Sequence, residues 1–261
     1  EINPDDPELL REHARLLTKL GDEGAEKDLR RLEAMGIETA EDKSMMASLA
    51  ARAGDTDVAL QSIEAALTSN PNEEDWLRKA EIHLERNERG LGITAADEAI
   101  ELNRQSGPAW AVRAQLLKNE PGRMEEALKA AIHAVALGEP QVLLKAELFE
   151  SLGRSEEAHA CLSDALENDP ANAELRAQLV LLQHQAGNPE AAFEILAEAP
   201  VGAWKSSALH LQKGRLILAE ADRYRDGTGE RESMEASYPF SDELAIKFAN
   251  FCLNSGGFEI C

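Results

Sequence analysis

Apolar positions along this chain repeat on two scales. Between successive Gly, Asn or Pro positions they recur every three or four residues, the spacing that lines one face of an α-helix. On the longer scale, a small residue is followed seven positions later by a turn residue. The small-residue column reads Ala14, Ala47, Ala80, Ala114, Ala146, Val180, Gly214 and Ala249, with steps of 33, 33, 34, 32, 34, 34 and 35. The turn column reads Gly21, Gly54, Asn87, Pro121, Gly153, Gly187, Ala221 and Gly256. One period therefore holds two helices of about 14 residues with their turns.

Several helix starts are legible. Asn188 before Pro189 places a capping side chain ahead of a proline at the first helical position. Ser241 does the same before Asp242 and Glu243, whose charges suit the positive end of a helix dipole. Thr39 to Asp42 reads as a capping box with Asp in the usual place of Glu. The second helix of each period has its own small columns. One runs Ala25, Ala59, Gly92, Ala127, Ala158, Ala192; another runs Ala66, Ala99, Ala134, Ala165, Ala199. Small side chains there let helix backbones pack closely, and aromatic residues make up only 4% of the chain.

These columns resemble tetratricopeptide repeats, whose unit of about 34 residues has an early aromatic, a small eighth residue, alanines in the second helix and a closing proline. Trp76 and Trp110 stand at the early aromatic place, and Pro71 and Pro170 at the closing one. The clearest unit runs from Pro140 to Pro170, with Ala146, Phe149, Gly153, Ala158, Leu162 and Ala165 in place. The resemblance implies an all-α fold, a right-handed α-solenoid of about seven and a half helix-turn-helix repeats. One solenoid spans 1–261, with repeats near 7–38, 40–71, 73–104, 107–138, 139–170 and 173–204, a degenerate one at 207–239 and a partial one at 241–261. Glu1 to Pro4 resembles the tail of a preceding repeat, and neither end reads as a polar cap, so the pattern suggests part of a longer array. Repeat six closes early at Pro200 to Gly202, and the second helix of repeat seven is interrupted by Asp226 to Gly229, leaving a short helix near 230–236.

Charge narrows the partners. With 27 basic and 49 acidic side chains the formal net charge is −22, which disfavours phosphate backbones and anionic lipid surfaces. No apolar run approaches the roughly 20 residues that span a bilayer. The cysteines Cys161, Cys252 and Cys261 are odd in number and lack metal-ligand spacing, which fits a reducing compartment such as the cytoplasm better than a disulfide framework. A periplasmic setting remains open.

Candidate chemistry is sparse. The histidines His13, His83, His133, His159, His184 and His210 fall in different repeats, with no i, i+4 pair to ligate a metal from one helix face. His83 occupies a tyrosine place and reads as a packing residue. His159 and Cys161 are two residues apart on one helix, on different faces, which is poor geometry for a nucleophile and its base. Gly227-Thr228-Gly229 lacks the lysine and the strand of a phosphate loop. Asp222 to Gly227 lacks acidic ligands at its third and twelfth places, Tyr224 and Ser233, and reads as a mobile loop rather than a calcium site. No catalytic residue, metal site or cofactor is expected, and the chain reads as a non-enzyme.

Resemblance to the family implies a concave groove lined by first helices that receives a peptide or partner segment. Arg11, Arg15, Lys19, Arg52 and Arg78 fall on groove positions beside Glu8, Glu12, Ser44, Met45, Ser48, Glu74 and Glu81. They read either as a seat for an acidic segment or as ion pairs with neighbouring acids. The chaperone-tail clamp known in some members finds Arg11, Arg15, Met45, Glu74 and Arg78 at its places, without the middle asparagine and with an acid for one lysine. Later repeats offer a more apolar floor that includes Gln115, Leu143, Leu144 and Gln178. The expected function is a protein–protein interaction scaffold within a larger assembly. Alternatives are the substrate-docking region of a larger transferase, a periplasmic scaffold for polysaccharide export, and self-association through the uncapped ends.

Replacing Ala146 by leucine should cost about 1–3 kcal/mol by overpacking. Thermal unfolding measures it, and an unchanged midpoint would show the proposed register to be wrong.

Overall fold

The computed structural model describes residues 6–22 and 24–225, and every regular element among them is helical. The chain forms two compact units that divide after Gln141. Unit 1 holds α1 (Pro7–Leu20), α2 (Gly24–Ala34), α3 (Ala40–Arg52), α4 (Thr56–Ser69), α5 (Glu73–Glu85), α6 (Arg89–Leu102), α7 (Gly107–Lys118) and α8 (Met124–Ala136). Unit 2 holds α9 (Val142–Ser151), α10 (Ser155–Asn168), α11 (Ala173–Gln185), α12 (Pro189–Ala197), a 3₁₀ turn at Val201–Lys205 and α13 (Ser207–Arg225). Within each unit, consecutive helices pack as hairpins that stack into an α-solenoid.

First helices start on side-chain caps. Asp6, Thr39, Asn72, Ser106 and Asn172 accept backbone N–H groups at the starts of α1, α3, α5, α7 and α11. The Thr39–Asp42 capping box forms in both directions, at 3.2 and 2.8 Å. Asn188 stands before Pro189 as expected, yet its amide turns to Gln183 Oε1 at 3.2 Å and caps nothing. First helices end on left-handed residues. Gly21, Gly54, Gly153 and Gly187 have positive φ, and Asn87 takes the same conformation at +56°. In the fourth repeat the expected turn residue, Pro121, cannot adopt positive φ, so Gly122 does so one place later.

The small columns are where helices meet. Ala14, Ala47, Ala80 and Ala114 have no exposed surface, nor have Ala25, Ala59, Ala127, Ala158 and Ala192. At Gly92 a Cβ would lie 2.8 Å from a Leu116 methyl, so even alanine would force the Leu116 side chain to shift. The second column behaves likewise at Ala66, Ala99 and Ala134, whereas Ala165 and Ala199 are half-buried.

Unit 2 departs from the sequence reading at its end. The turn expected at Ala221 is absent, because α13 continues unbroken to Arg225. Asp222 to Arg225 is accordingly helix rather than loop. Ala249, the Ser241 cap, Gly227 to Gly229, the short helix near 230–236 and the partial repeat at 241–261 lie outside the described residues. The early close of repeat six becomes the 3₁₀ turn, which buries Ala203 and seats Trp204 against His210 at 5.5 Å between ring centroids.

A buried arginine holds unit 2 together. Arg176 occupies the column where unit 1 has Trp76 and Trp110, and is 4% exposed. Its guanidinium donates to Ile195 O at 2.7 Å and to Pro170 O at 3.1 Å, tying the last turn of α12 to the chain just beyond α10. Burial lowers its pKa, opposed by nearby Glu198. Arg176→Ala should cost about 2–4 kcal/mol, since two carbonyls lose a charged donor. Urea unfolding followed through Trp204 fluorescence measures it, and a midpoint equal to wild type would exclude the clamp.

Candidate interaction surface

In unit 1 the first helices approach one another directly, α1 against α3 and α5 against α7, whereas no two second helices make a comparable contact. Elements that crowd on one side and spread on the other must curve, so the first helices line the inner face of this unit. The side chains on that face are bonded from each hairpin to the next.

Three such links recur at helix starts. Arg11 Nε donates to Asp42 Oδ2 at 3.0 Å, and its Nη2 donates to Ile37 O at 2.6 Å. Ser44 Oγ donates to Asp75 Oδ2 at 2.5 Å, the same oxygen that accepts from Asn72. Ser106 Oγ donates to Glu73 Oε1 at 2.5 Å. Asp42 and Asp75 are 2% and 1% exposed, so each is a buried carboxylate at the start of a helix, held by the dipole and by a donor from the preceding first helix.

Four of the groove cations expected from sequence, Arg11, Arg15, Arg52 and Arg78, are therefore in use. Arg15 bridges Glu12 at 2.5 Å and Glu41 at 2.7 Å, and Arg78 bridges Asp75 at 3.1 Å and Glu74 at 2.9 Å. Arg52 donates to Thr18 O at 3.0 Å and lies over Gly21, where a Cβ would meet Arg52 Nη2 at 1.9 Å. Gly21 is required by its positive φ, whereas the guanidinium end of the exposed Arg52 could move aside from a Cβ. Lys19 is exposed and forms no ion pair among the described residues. Gln115 is half-buried on α7. In unit 2, Leu143 and Leu144 on α9 and Gln178 on α11 are half-buried as well, with Ala177 buried beside Gln178.

Glu81 was named from the repeat register, but its environment is visible only in the structure. Its carboxyl is reachable by solvent, yet the crowded helix face around it removes part of its hydration. That desolvation raises its pKa, Arg78 opposes the shift and Glu85 adds to it. Elsewhere His83 is buried as expected, and its Nδ1 lies 2.7 Å from Glu88 Oε2, a pairing the sequence did not suggest. That bond lowers the Glu88 pKa. Cys161 is half-buried with its thiol pushed up chiefly by burial, and His159 meets Ser163 Oγ at 3.5 Å. Among the described residues no group of His, Cys, Asp and Glu could hold a metal, and no helix is long and apolar enough to cross a membrane.

Behind the inner face, clefts open between second helices. One of about 430 Å³ lies between α6 and α8, with Trp110 stacked on His133 at 4.7 Å and Arg113 bonded to Asp97 at 2.6 Å.

A family model described as tetratricopeptide repeat matches residues 44–106 and 143–208. Solved structures agree in fold. The C-terminal part of a repeat-containing protein from Cytophaga hutchinsonii aligns at TM-score 0.72 and 14% identity, over 94% of this chain and 98% of that one. A tetratricopeptide repeat protein from Parabacteroides merdae aligns at TM-score 0.62 and 17% identity, over 95% and 99%. PilW, a type IV pilus biogenesis factor, aligns at TM-score 0.57 and 20% identity, over 78% and 96%. No curated protein matches the chain.

Because the raised Glu81 pKa penalises the charged form only in the folded state, Glu81→Gln should stabilise unit 1 at neutral pH. The penalty exists above the folded pKa and disappears as pH falls below the ordinary carboxylate value, where both states are neutral. Thermal midpoints of the two proteins should therefore converge between pH 7 and pH 4. A constant offset across that range would exclude the titration of Glu81 as the cause.

Proposed function

We propose that this chain, which belongs to the tetratricopeptide repeat family, is a protein–protein interaction scaffold whose first helices receive a partner segment. Repeats of this family bind protein partners, and the coarse reading follows from that membership. The observation that carries the finer reading is the inner face of unit 1. It presents half-buried, hydrogen-bonding side chains in register, among them Arg15, Arg78 and Gln115, beside the partly desolvated Glu81. An exposed carboxylate beside a guanidinium is a ready acceptor for a partner's N–H or ammonium group.

The same geometry refines which partner fits. An acidic segment must displace Glu12, Glu41 and Glu74 from the arginines that they already hold. A segment of mixed charge that adds to these pairs fits better, with its cation toward Glu81 and its carboxylates toward Arg15. In unit 2, Leu143, Leu144 and Gln178 supply a more apolar surface for the same kind of segment. No catalytic role is assigned to any residue.

The structure also selects the variants for the test. Arg11 and Arg78 serve buried carboxylates, so reversing them would unfold the site as well as empty it. Arg15→Glu and Glu81→Lys leave the pairs of Asp42 and Asp75 in place. Against an immobilised array of peptides graded from acidic to mixed to basic, wild type should retain mixed-charge peptides. Each single reversal should weaken them about tenfold, and the double reversal should shift preference to peptides of inverted polarity. Retention unchanged in both variants would remove function from the unit 1 face, and Leu143→Asp would then test unit 2.

A further inference from the structure

In unit 1 two devices hold one second helix to the next across the first helix between them. The first is an indole. Trp76 of α5 packs both on the cluster of α3 and α4 and on that of α6 and α7, and Trp110 of α7 packs on the latter and stacks on His133 of α8. The second is a cation three residues later. Lys79 lies over Trp76 at 5.4 Å and meets Glu64 of α4 at 3.0 Å. Arg113 lies over Trp110 at 5.9 Å and reaches both walls, Asp97 of α6 at 2.6 Å and Glu126 of α8 at 3.9 Å.

Between α2 and α4 both devices are missing. In register, Lys43 of α3 stands at the place of Trp76 and Trp110, and Met46 at the place of Lys79 and Arg113. Lys43 turns back to Glu38 at 3.5 Å, in the link before its own helix. Arg30 of α2, at the place of Glu64 and Asp97, pairs with Glu26 of the same helix. α2 meets α3 through apolar contacts, Met46 and Leu49 packing on the cluster that holds Leu29 and Leu32. Such contacts are non-directional, and methionine adapts its shape to a shifting neighbour. Over them lie two adjoining clefts of about 310 and 500 Å³ that share Arg30, Met46 and Val58, one from each of α2, α3 and α4. The cleft between α6 and α8 is comparable in size, but the Trp110–His133 stack and Arg113 cross it.

The opposite edge of the same hairpin is pinned. On the inner face Arg11 donates to Asp42 and to Ile37 O, Arg15 bridges to Glu41, and Arg52 donates to Thr18 O. These bonds are directional, and they gather between α1 and α3. A body fixed along one edge and free to slide along the other turns about the fixed edge.

We propose that the α1–α2 hairpin is a hinged lid on unit 1. It turns about the α1–α3 bonds, widening or closing the outer cleft between α2 and α4 and shifting Arg15 relative to Arg78 on the inner face. The junction of α6 with α8, crossed by a ring and a guanidinium, stays rigid. This motion is independent of what the inner face binds.

Pulsed dipolar spectroscopy on nitroxide pairs tests it, in the full chain with Cys161, Cys252 and Cys261 changed to serine. Lys27→Cys/Gln61→Cys labels α2 and α4, and Thr94→Cys/Lys129→Cys labels the equivalent exposed places on α6 and α8. Distances across α2 and α4 should spread about twice as widely as those across α6 and α8. Arg30→Glu/Met46→Lys, which installs the strap of Lys79 and Glu64, should narrow the spread to the control value. Met46→Lys alone, facing Arg30, should not. Equal spreads in the two parent pairs overturn the proposal. So does a strap that leaves the spread unchanged, or a lone Met46→Lys that narrows it as much. Amide exchange separates turning from melting: a turning hairpin keeps its α2 amides protected, and α2 amides that exchange as freely as an unfolded chain overturn the proposal as well.

Discussion

Close approach of helix backbones is the constraint on which this architecture depends. In unit 1 it is met by fully buried alanines such as Ala47, Ala59 and Ala80, and at Gly92 by the absence of a side chain. Close-packed contacts made this way are short-ranged, and the buried side chains of the described residues gather in local clusters. Each hairpin is stabilised by its neighbours, through clusters such as Ala47, Ala59, Ile63 and Ile82 in unit 1, and Val180, Ala192, Leu196 and Leu209 in unit 2. Aromatic residues are then used as local wedges rather than as core, and Arg176 shows that even a guanidinium can fill a wedge position when carbonyls face it.

A chain with 49 carboxylates and 27 cations would disperse its charge if the cations were left in solvent. Here many of them are drawn into links between hairpins: Arg11 to Asp42, Arg15 to Glu41, Lys79 to Glu64, Arg86 to Asp57 and Arg113 to Asp97. Exposed pairs of this kind contribute little singly. Those that end on Asp42 and Asp75 differ, because these carboxylates are buried and would be uncompensated without their donors. The same links set the chemistry of the inner face, where any ligand meets arginines that already have partners.

Much of this was legible in the residues. Ala14, Ala47, Ala80 and Ala114 announce the repeat because nothing larger fits, and Thr39 with Asp42 announces a helix start through local hydrogen bonding alone. What depended on long-range geometry was not legible. Which carboxylate Arg11 reaches, 31 residues away, has no local signature. Arg176 breaks the aromatic pattern of its column, and only the two carbonyls around it explain why. Ala221 keeps the spacing of a turn but is a good helix former, and α13 runs through it. Pro121 holds the column's place while Gly122 supplies the backbone angle.

The links between helix starts have a direction. Arg11 of α1 completes the start of α3, Ser44 of α3 completes that of α5, and Glu73 of α5 accepts from the cap of α7. Loss of order in an early hairpin therefore strips a buried group in the following one of its counterpart, whereas loss in a late hairpin leaves the earlier starts intact. Unit 1 is in this sense polarised: damage travels toward α7 more readily than back toward α1, and its earliest helix guards the alignment of those that come after.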